Sequence, residues 1–327
     1  MNQLAFFDEE LPALKQIDRA FIVDVLRSLL EDISIDDFVR LITNEVDECL
    51  NYFYLTQGEN TCKNLSLLFN PHRLEVSTMK RKSVFESLKE DSYIDGLSRA
   101  MTYCHNGGSK QNLFVRAFEI GTNGVGYANE FPPYVARDLC MEFGVTQHSR
   151  VLDPCAGWGG RMIGVSTVCD EYVCYEPSTR TYNGLLKLGK WLQNMQKDFR
   201  FEVNHLPFED SVLNDDYFDF ALTSPPYYDT EDYSDEDTQS KNRYGTFDEW
   251  CQMFYIPMIQ KTMDSLKRGG YFVLNIGDRQ YPLSTVLMDN FSGKYKIERI
   301  KDMLSGNTGG LRSKDKQGEA FYAIKKQ

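Results

Sequence analysis

Two short segments contain residue types that could bind a ligand and do chemistry on it. The first is Val151–Arg161, read as VLDPCAGWGGR, in which an apolar run ends in Asp153 before a glycine-rich turn. Glycines let the backbone adopt positive φ and let a ligand approach closely. The spacing is not that of a phosphate-binding loop, and no lysine follows. The segment predicts a cofactor loop, with a tight structural turn as the alternative. The residues expected to bind are Asp153, Cys155, Ala156, Gly157 and Gly159.

The acids near this loop favour a cationic ligand that carries a ribose. Asp153 at a strand tip suits a cation, because an unpaired anion beside a phosphate costs energy. A second apolar run ends in Glu176, followed by Pro177, where an acid can accept hydrogen bonds from ribose hydroxyls. A cation plus a ribose fits S-adenosylmethionine better than a dinucleotide. Phe208, after the third run, could stack on an adenine, and a core phenylalanine is equally compatible with the sequence.

The second segment is Ser224-Pro-Pro-Tyr227, directly after the fourth apolar run. Consecutive prolines fix φ and remove two backbone donors, which gives a stiff loop. The Ser224 hydroxyl and the Pro225 carbonyl could accept the two N–H groups of an exocyclic amine and bias its nitrogen toward tetrahedral geometry. Positioning and fixed dipoles would then favour attack on a sulfonium methyl group. Tyr227 offers a face for stacking on a base. We predict Ser224, Pro225, Pro226 and Tyr227 as the catalytic set, with a plain turn as the alternative.

Together, the two motifs resemble the amino-methyltransferases of nucleic acid bases. The first motif of that family, Asp-Pro-x-x-Gly-x-Gly, matches Asp153–Gly159, and its fourth matches Ser224–Tyr227. The resemblance covers about residues 127–327. It implies an α/β, Rossmann-like class I methyltransferase sheet, mostly parallel with an antiparallel C-terminal strand, and S-adenosylmethionine as cofactor. Phe131 and Pro132 are similar to the segment that closes over the methionine end of that cofactor.

The resemblance also indicates the substrate. Serine at the first position of the fourth motif goes mostly with cytosine N4, and aspartate or asparagine with adenine N6. The family therefore implies a DNA methyltransferase in which cytosine N4 is favoured over adenine N6. A base in duplex DNA must first be flipped out of the stack.

The charge of the chain opposes DNA as the partner. Its net charge is −12, whereas a DNA-binding surface needs clustered Lys and Arg. Six acids lie in Asp229–Asp237, which we interpret as a solvated loop. The nearby basic residues are Arg312, Lys314 and Lys316 in the turn Gly306–Lys316. RNA, a free nucleotide or a protein amide stay open as substrates, and a non-catalytic module with this fold is a further alternative.

Short apolar runs alternate with helical stretches after residue 126, which predicts a parallel sheet with helices on both faces. We expect residues 126–327 to form the methyltransferase domain and residues 1–125 a helical region that could recognise the substrate. The sequence predicts a helix over 178–195 and an antiparallel pair at the end of the chain. The predicted strands are Arg150–Asp153, Tyr172–Glu176, Phe201–Asn204, Phe218–Thr223, Tyr271–Ile276, Tyr295–Ile300 and Ala320–Lys325.

The N-terminal region shows helical periodicity. Apolar residues recur at helical spacing over Phe21–Ile33, and Ser34 with Asp37 forms the sequence of a capping box. The box predicts a second helix that continues through Phe53. The segment Asn106–Gly126 is rich in Gly, Asn and Ser and is expected to contain the connection between the regions.

The cysteines and the chain start favour a cytoplasmic protein. The eight cysteines include no C-x-x-C pair, so we expect reduced thiols and no metal site. The start MNQLAFFDEE lacks the pattern of a signal peptide, and no long apolar run predicts a membrane span. Cys155 resembles the nucleophile of cytosine C5 methyltransferases only superficially, because it lies in the cofactor loop and not in the catalytic loop.

Overall fold

The computed structural model describes residues 19–59, 62, 64–78, 81–106, 128–278, 280–300 and 320–327. The chain start, residues 107–126 of the expected connection, and the basic turn Gly306–Lys316 lie outside these ranges. The described residues form two compact units. One contains the residues up to Cys49 and those of Pro71–Asn129, and the other contains Leu50–Asn70 and Glu130–Gln327.

The first unit is mainly helical. Its helix α1 packs against α6, and ion pairs Arg19–Asp95 and Arg27–Asp91 join the two helices. The helices up to residue 106 are α1 (Arg19–Leu30), α2 (Ile35–Ile42), α3 (Glu45–Thr56), α4 (Leu65–Phe69), α5 (Val84–Ser87) and α6 (Asp91–Asn106), with a 3-10 turn at Pro71–Glu75 and a two-residue strand at Ser77–Thr78. Of these, α4 and the end of α3 belong to the second unit.

The predicted cap at Ser34 is confirmed, but the helix after it is shorter than expected. The Ser34 hydroxyl accepts a hydrogen bond from the amide of Asp37. Helix α2 ends at Ile42, and the Asn44 side chain accepts from the amide of Val46 at 2.8 Å to begin α3. Val46 and Phe53 are 68% and 55% exposed, so they do not continue the buried stripe of α2. An asparagine able to cap a new helix breaks the predicted single one.

The second unit alternates strands and helices. Labels β1 to β7 denote the strands of its large sheet. In chain order the elements are α7 (Pro133–Glu142), β1 (Arg150–Asp153), α8 (Gly160–Val165), β2 (Glu171–Tyr175), α9 (Thr179–Met195), β3 (Arg200–Asn204), β4 (Phe218–Thr223), α10 (Ser240–Arg243), α11 (Phe247–Trp250), α12 (Ile256–Ser265), β5 (Leu266–Ile276), α13 (Leu283–Phe291), β6 (Lys296–Ile300) and β7 (Ala320–Lys325). A π turn at Cys251–Tyr255 joins α11 to α12, a 3-10 turn spans Phe208–Asp210, and a two-residue strand spans Glu231–Asp232.

The seven strands of the large sheet lie in the order β3-β2-β1-β4-β5-β7-β6. The first five in this order are parallel, and β7 is antiparallel to both β5 and β6. This is the mostly parallel, Rossmann-like α/β sheet that the sequence predicts, including the antiparallel C-terminal pair. The strand order reverses direction between β1 and β4, and ligands of open α/β sheets bind at the carboxyl ends beside such a point.

Alternate residues of the inner strands are buried in two different cores. Val151 packs in one core and Leu152 in the other, and the same alternation separates Phe220 from Ala221. Side chains of a strand point to opposite faces in turn, so a sheet with helices on both sides is apolar throughout its strands. The two cores hold the carboxyl ends of β1, β2 and β4 at one fixed edge.

The boundary expected at residue 125 falls among residues that the structure does not describe. Residues 50–70, which the sequence analysis placed in the N-terminal region, group with the second unit. The Tyr52 hydroxyl lies 2.9 Å from Ser166 Oγ, and Asn70 Nδ2 donates to the carbonyl of Trp158 at 2.9 Å. These contacts join sequence-distant residues, which local patterns do not reveal. Within the described ranges, no helix combines the length and apolarity needed to cross a bilayer.

Candidate active site

The two loops identified in the sequence begin side by side. Strands β1 and β4 are neighbours, with Leu152 paired to Ala221. At their carboxyl ends the Thr223 hydroxyl donates to Asp153 Oδ1 at 2.7 Å and accepts from the amide of Cys155 at 3.1 Å. Ser224 follows Thr223 directly, so the segment Ser224–Tyr227 starts at the base of the glycine-rich loop.

Asp153 is not available to a ligand cation, which corrects the role expected for it. Its carboxylate is buried, forms an ion pair with Arg161 at 2.7 Å, and accepts from the Tyr172 hydroxyl at 2.6 Å. Arg161 also donates to the carbonyl of Cys155. A buried charge must be paired and hydrogen-bonded, and here the partner comes from the loop itself. Asp153 therefore fixes the loop from inside the protein.

The glycines of the loop have different functions. Gly159 has φ +100°, and a Cβ there would lie 2.4 Å from Leu188 Cδ2. Gly160 is as crowded, because a Cβ would lie 2.1 Å from the carbonyl of Phe131. Gly157 has φ +56°, and the nearest atom to a Cβ there is Arg161 Nη2 at 3.9 Å. The backbone is thus open to a ligand at Gly157, whereas Gly159 and Gly160 serve the packing of α8. Ala156 is buried, and its amide donates to the carbonyl of Tyr175 at 2.9 Å.

Glu176 is a buried acid that faces the cofactor loop. It accepts hydrogen bonds from the amide of Ser178 at 2.8 Å and from the amide of Gly157. Burial raises the pKa of its carboxyl to about 8, although these amide hydrogen bonds oppose the shift. With this pKa the Glu176 carboxyl is mostly uncharged at pH 7. It can therefore form hydrogen bonds with ligand hydroxyls without the large free-energy cost of desolvating a charge. The ribose contact of Glu176 stays a prediction, and Pro177 lies half-buried next to this residue.

Phe208 does not have the exposed face that stacking on an adenine requires. The side chain is 2% exposed and meets the ring of Tyr175 edge-on, with 4.9 Å between centroids. It belongs to the core on that face of the sheet. The alternative of a core phenylalanine is the one that the structure supports, because the 3-10 turn directs this ring inward.

Phe131 contacts the glycine-rich loop, whereas Pro132 lies at the start of the next helix. The guanidinium of Arg161 lies 5.1 Å from the centroid of the Phe131 ring, and Pro132 caps α7. The residue before them was not predicted. Glu130 Oε1 accepts from the amide of Gly160 at 2.9 Å, and Ser66 donates to Oε2. A carboxylate at the first turn of a helix stabilises its unpaired amides, and an acid before Phe-Pro-Pro was the available sequence signal.

Ser224 and Tyr227 share one acceptor that the sequence analysis did not identify. Each hydroxyl donates to Oδ1 of Asn275, and each distance is 3.2 Å. Asn275 is 3% exposed and lies near the end of β5. Ser224 and Tyr227 are half-buried, and Pro225 is buried between them. A lone asparagine in the apolar run YFVLNI was the signal in the sequence.

The segment Asp229–Asp237 is exposed at Asp229, Asp235 and Asp237, as expected of a solvated loop, but two of its acids are hydrogen-bonded to other elements. Glu236 accepts from the amide of Thr179 at 2.9 Å, at the first residue of α9, and from the Thr179 hydroxyl. Burial opposes ionisation, but these hydrogen bonds lower the pKa of the Glu236 carboxyl. Asp229 accepts from the Tyr281 hydroxyl at 2.6 Å. A helix amide and two hydroxyls thus hold Glu236 and Asp229, which the sequence did not predict.

The thiol of Cys155 is not an activated nucleophile. Burial and the Asp153 carboxylate raise its pKa well above the usual range, so it stays protonated at neutral pH. The seven cysteines that the structure describes as thiols, among them Cys155, form no disulfide. The raised pKa of the Cys155 thiol is in line with the prediction that covalent C5 chemistry is disfavoured.

Comparisons with known proteins add structural likenesses at low identity. No protein-family model matches the sequence, and no curated protein is significantly similar to it. An rRNA methylase from Streptococcus thermophilus is 13% identical, covers 60% of this chain and 97% of its own, and gives a TM-score of 0.39. The 16S rRNA N2 G1207 methyltransferase of T. thermophilus, in complex with AdoMet and guanosine, is 14% identical over 61% of this chain and 44% of its own, with a TM-score of 0.40. A tRNA (m1A58) methyltransferase from Aquifex aeolicus is 14% identical over 61% of this chain and 71% of its own, with a TM-score of 0.39. At these scores the likenesses assign neither activity nor substrate to this chain.

Proposed function

We propose that this protein is an S-adenosylmethionine-dependent N-methyltransferase that acts on the exocyclic amine of a nucleobase. One observation carries the proposal. The hydrogen bonds of Thr223 with Asp153 and Cys155 bring Ser224-Pro-Pro-Tyr227 to the open glycine-rich loop, at the carboxyl edge of a class I methyltransferase sheet. An amine held by Ser224–Tyr227 would face a ligand held by the glycine-rich loop.

The residues at this edge fit the cofactor. Gly157 is open to a ligand, and the described hydrogen-bond partners of the buried Glu176 are backbone amides, which leaves the carboxyl suited to ribose hydroxyls. Asp153 acts indirectly, through the loop that it fixes with Arg161. Phe131 supports the loop by packing, and Pro132 lies at the start of α7. When bound, S-adenosylmethionine supplies a methyl group on a positively charged sulfur.

The catalytic loop supplies acceptors for the amine. The proton of Ser224 is donated to Asn275, so the lone pairs of Ser224 Oγ are left to accept an N–H of the substrate. The Pro225 carbonyl accepts the second N–H. These bonds draw the nitrogen lone pair out of conjugation and fix its direction, which lowers the barrier through positioning and electrostatics. Tyr227 stacks against the base.

The first substrate to test is cytosine N4 in DNA, followed by adenine N6, because serine begins the catalytic motif.

A specific observation favours a second candidate. Asp229 and Glu236 are held beside the site as ordered acids, and acids near a binding cleft repel phosphates. A free nucleotide or a protein amide would bring less phosphate close to these acids than DNA does, and RNA stays the other substrate to test.

A transfer assay with tritiated methyl donor tests the proposal on single- and double-stranded DNA, RNA, nucleotides and protein, followed by mass spectrometry of the nucleosides. N4-methylcytosine or N6-methyladenine in DNA supports the first candidate. Label found only in RNA, nucleotide or protein supports the second and overturns the first. Absence of label in every substrate overturns the enzymatic proposal.

The paired variant Ser224→Ala/Tyr227→Ala separates catalysis from cofactor binding. We expect it to lose transfer while its affinity for S-adenosylhomocysteine, measured by calorimetry, stays within about twofold of the wild type. The matched control is Ser292→Ala/Tyr103→Ala, which changes the same residue types at exposed positions and should retain transfer. Equal loss of cofactor affinity in the first variant would contradict the roles assigned to the two segments.

A further inference from the structure

The Asn275 side chain accepts hydrogen bonds from both polar residues of the catalytic loop. We infer that Asn275 is a positioning residue that makes Ser224 an obligate acceptor and so selects an amine over a carbonyl substrate. The inference rests on the proposed function and goes beyond it by naming a residue outside the motif and a rule of substrate choice.

The sheet fixes where Asn275 lies. In β5, Leu274 pairs with Thr223 of β4, and Asn275 pairs with Phe321 of β7. The strand is hydrogen-bonded on both sides, so its backbone cannot shift to follow the loop. Asn275 therefore stands one residue beyond the point where the catalytic loop leaves β4, which places a rigid acceptor beside a loop already stiffened by two prolines.

The burial of Asn275 shows that its amide is not an accidental polar group. The side chain is 3% exposed, and its neighbours Leu274 and Ile276 are buried apolar residues. An unsatisfied amide at such a position would cost free energy. The hydroxyls of Ser224 and Tyr227 satisfy its carbonyl oxygen, each at 3.2 Å. The catalytic loop thus stabilises the buried amide on β5, and the amide in turn fixes the loop.

The hydrogen bond determines what Ser224 can recognise. A hydroxyl has one donor and two acceptor lone pairs. With its proton committed to Asn275, Ser224 can accept from an N–H but cannot donate to a carbonyl oxygen. An amino group, as at cytosine N4 or adenine N6, satisfies this acceptor, whereas the carbonyl of uracil at the same place does not. Tyr227 is anchored by the same oxygen, which fixes the direction of its ring.

A double-mutant cycle on kcat tests whether Asn275 acts through Ser224. The four proteins are the wild type, S224A, N275L and S224A/N275L, assayed on the substrate that the wild type methylates. Leucine keeps the approximate volume and removes the acceptor. We expect N275L to lower kcat at least about tenfold, as loss of one catalytic hydrogen bond does, and to leave the affinity for S-adenosylhomocysteine within about twofold. In the S224A background the same change should cost less than about threefold, because residues that act as a unit are not additive.

N275D tests the same claim with the acceptor retained. We expect it to keep a larger share of kcat than N275L, and N275A replaces N275L if circular dichroism shows that N275L does not fold. Equal losses of kcat in N275D and N275L would overturn the positioning role. So would a cycle in which the fold-loss of S224A/N275L equals the product of the fold-losses of S224A and N275L. Either result leaves the proposed function standing. A wild type that transfers no methyl group to any substrate overturns both.

Discussion

At the scale of single residues, Glu176 is an acid whose pKa burial raises to about 8. It is buried at the end of β2, and its described hydrogen-bond partners are uncharged backbone amides. Such a group prefers its neutral form. At alkaline pH the buried carboxyl must ionise, which destabilises the folded protein. A ligand whose hydroxyl groups donate hydrogen bonds to this carboxylate would reduce the destabilisation.

Glu176→Gln should therefore stabilise the cofactor-free protein, increasingly as pH rises. In the unfolded chain the carboxyl ionises near the ordinary glutamate pKa of 4.5, and in the folded protein its pKa is about 8. The wild type thus loses stability between these two values, and the loss is complete above pH 8. Since each tenfold change in proton affinity corresponds to about 1.4 kcal/mol, we expect a difference of a few kcal/mol at pH 8.5. Urea unfolding at pH 5, 7 and 8.5 measures it, and a difference that does not grow with pH would contradict the shift.

The ion pair of Asp153 with Arg161 is predicted to be structural. Arg161→Met should destabilise the protein by about 3–5 kcal/mol, because it leaves a buried carboxylate without its cation. Arg40→Ala is the matched control, since Arg40 is paired with Asp37 but its side chain is 75% exposed, and we expect a cost below about 1 kcal/mol. Chemical denaturation compares the two. A small effect of Arg161→Met would mean that Asp153 is not held as the structure shows.

At the scale of elements, the glycine-rich loop combines a part that packs and a part that is open. Gly159 and Gly160 let the loop fit against Leu188 and Phe131 before α8 begins, and Glu130 caps that helix. Gly157 has no such neighbour. The same short segment therefore supports the fold at one end and faces the proposed ligand at the other.

Gly157→Ala and Gly144→Ala separate these two functions. Both glycines have positive φ and no packed neighbour at the Cβ position, so each alanine should cost about 1–2 kcal/mol of backbone strain. Only Gly157→Ala should also weaken binding of S-adenosylhomocysteine, by at least about tenfold. Calorimetry gives the affinity and urea unfolding the stability. If both variants, or neither, lose affinity, the assignment of Gly157 to the cofactor is wrong.

At the scale of the whole molecule, the sheet depends on its last strand. β7 is the final element of the chain, yet it lies between β5 and β6 in the interior of the sheet. Ile324 on this strand is fully buried in the core that also covers Leu274 and Ile276. The C-terminus is thus part of the scaffold that holds Asn275.

Ile324→Ala tests this dependence. We expect a loss of about 2–5 kcal/mol, the usual effect of truncating a large aliphatic side chain in a packed core. Val212→Ala is the control, because Val212 is 95% exposed and its truncation should change the free energy of unfolding by less than about 0.5 kcal/mol. Denaturant unfolding measures the free energy of unfolding of both variants. Similar losses in the two would show that β7 does not stabilise the sheet.

The sequence by itself determined the local features of this protein. The strands of the large sheet, the helix α9, the cap at Ser34, and the loops at Asp153 and Ser224 all follow from periodicity and turn chemistry over a few residues. Strand β1 and strand β4 were predicted residue for residue. These features are local because backbone conformation and amphipathic spacing depend on near neighbours in the chain.

Only the tertiary structure decided which residues far apart in the sequence contact each other. The packing of residues 50–70 with the second unit, the burial of Phe208, and the attachment of Glu236 to α9 each involve partners far away in the sequence. The same is true of Asn275, which becomes the acceptor of Ser224 only because β5 lies beside β4. A pattern of residue types shows that a side chain needs a partner, but strand order and register select the partner. The sequence could therefore identify both loops, and only the fold could show that Asp153 is already paired.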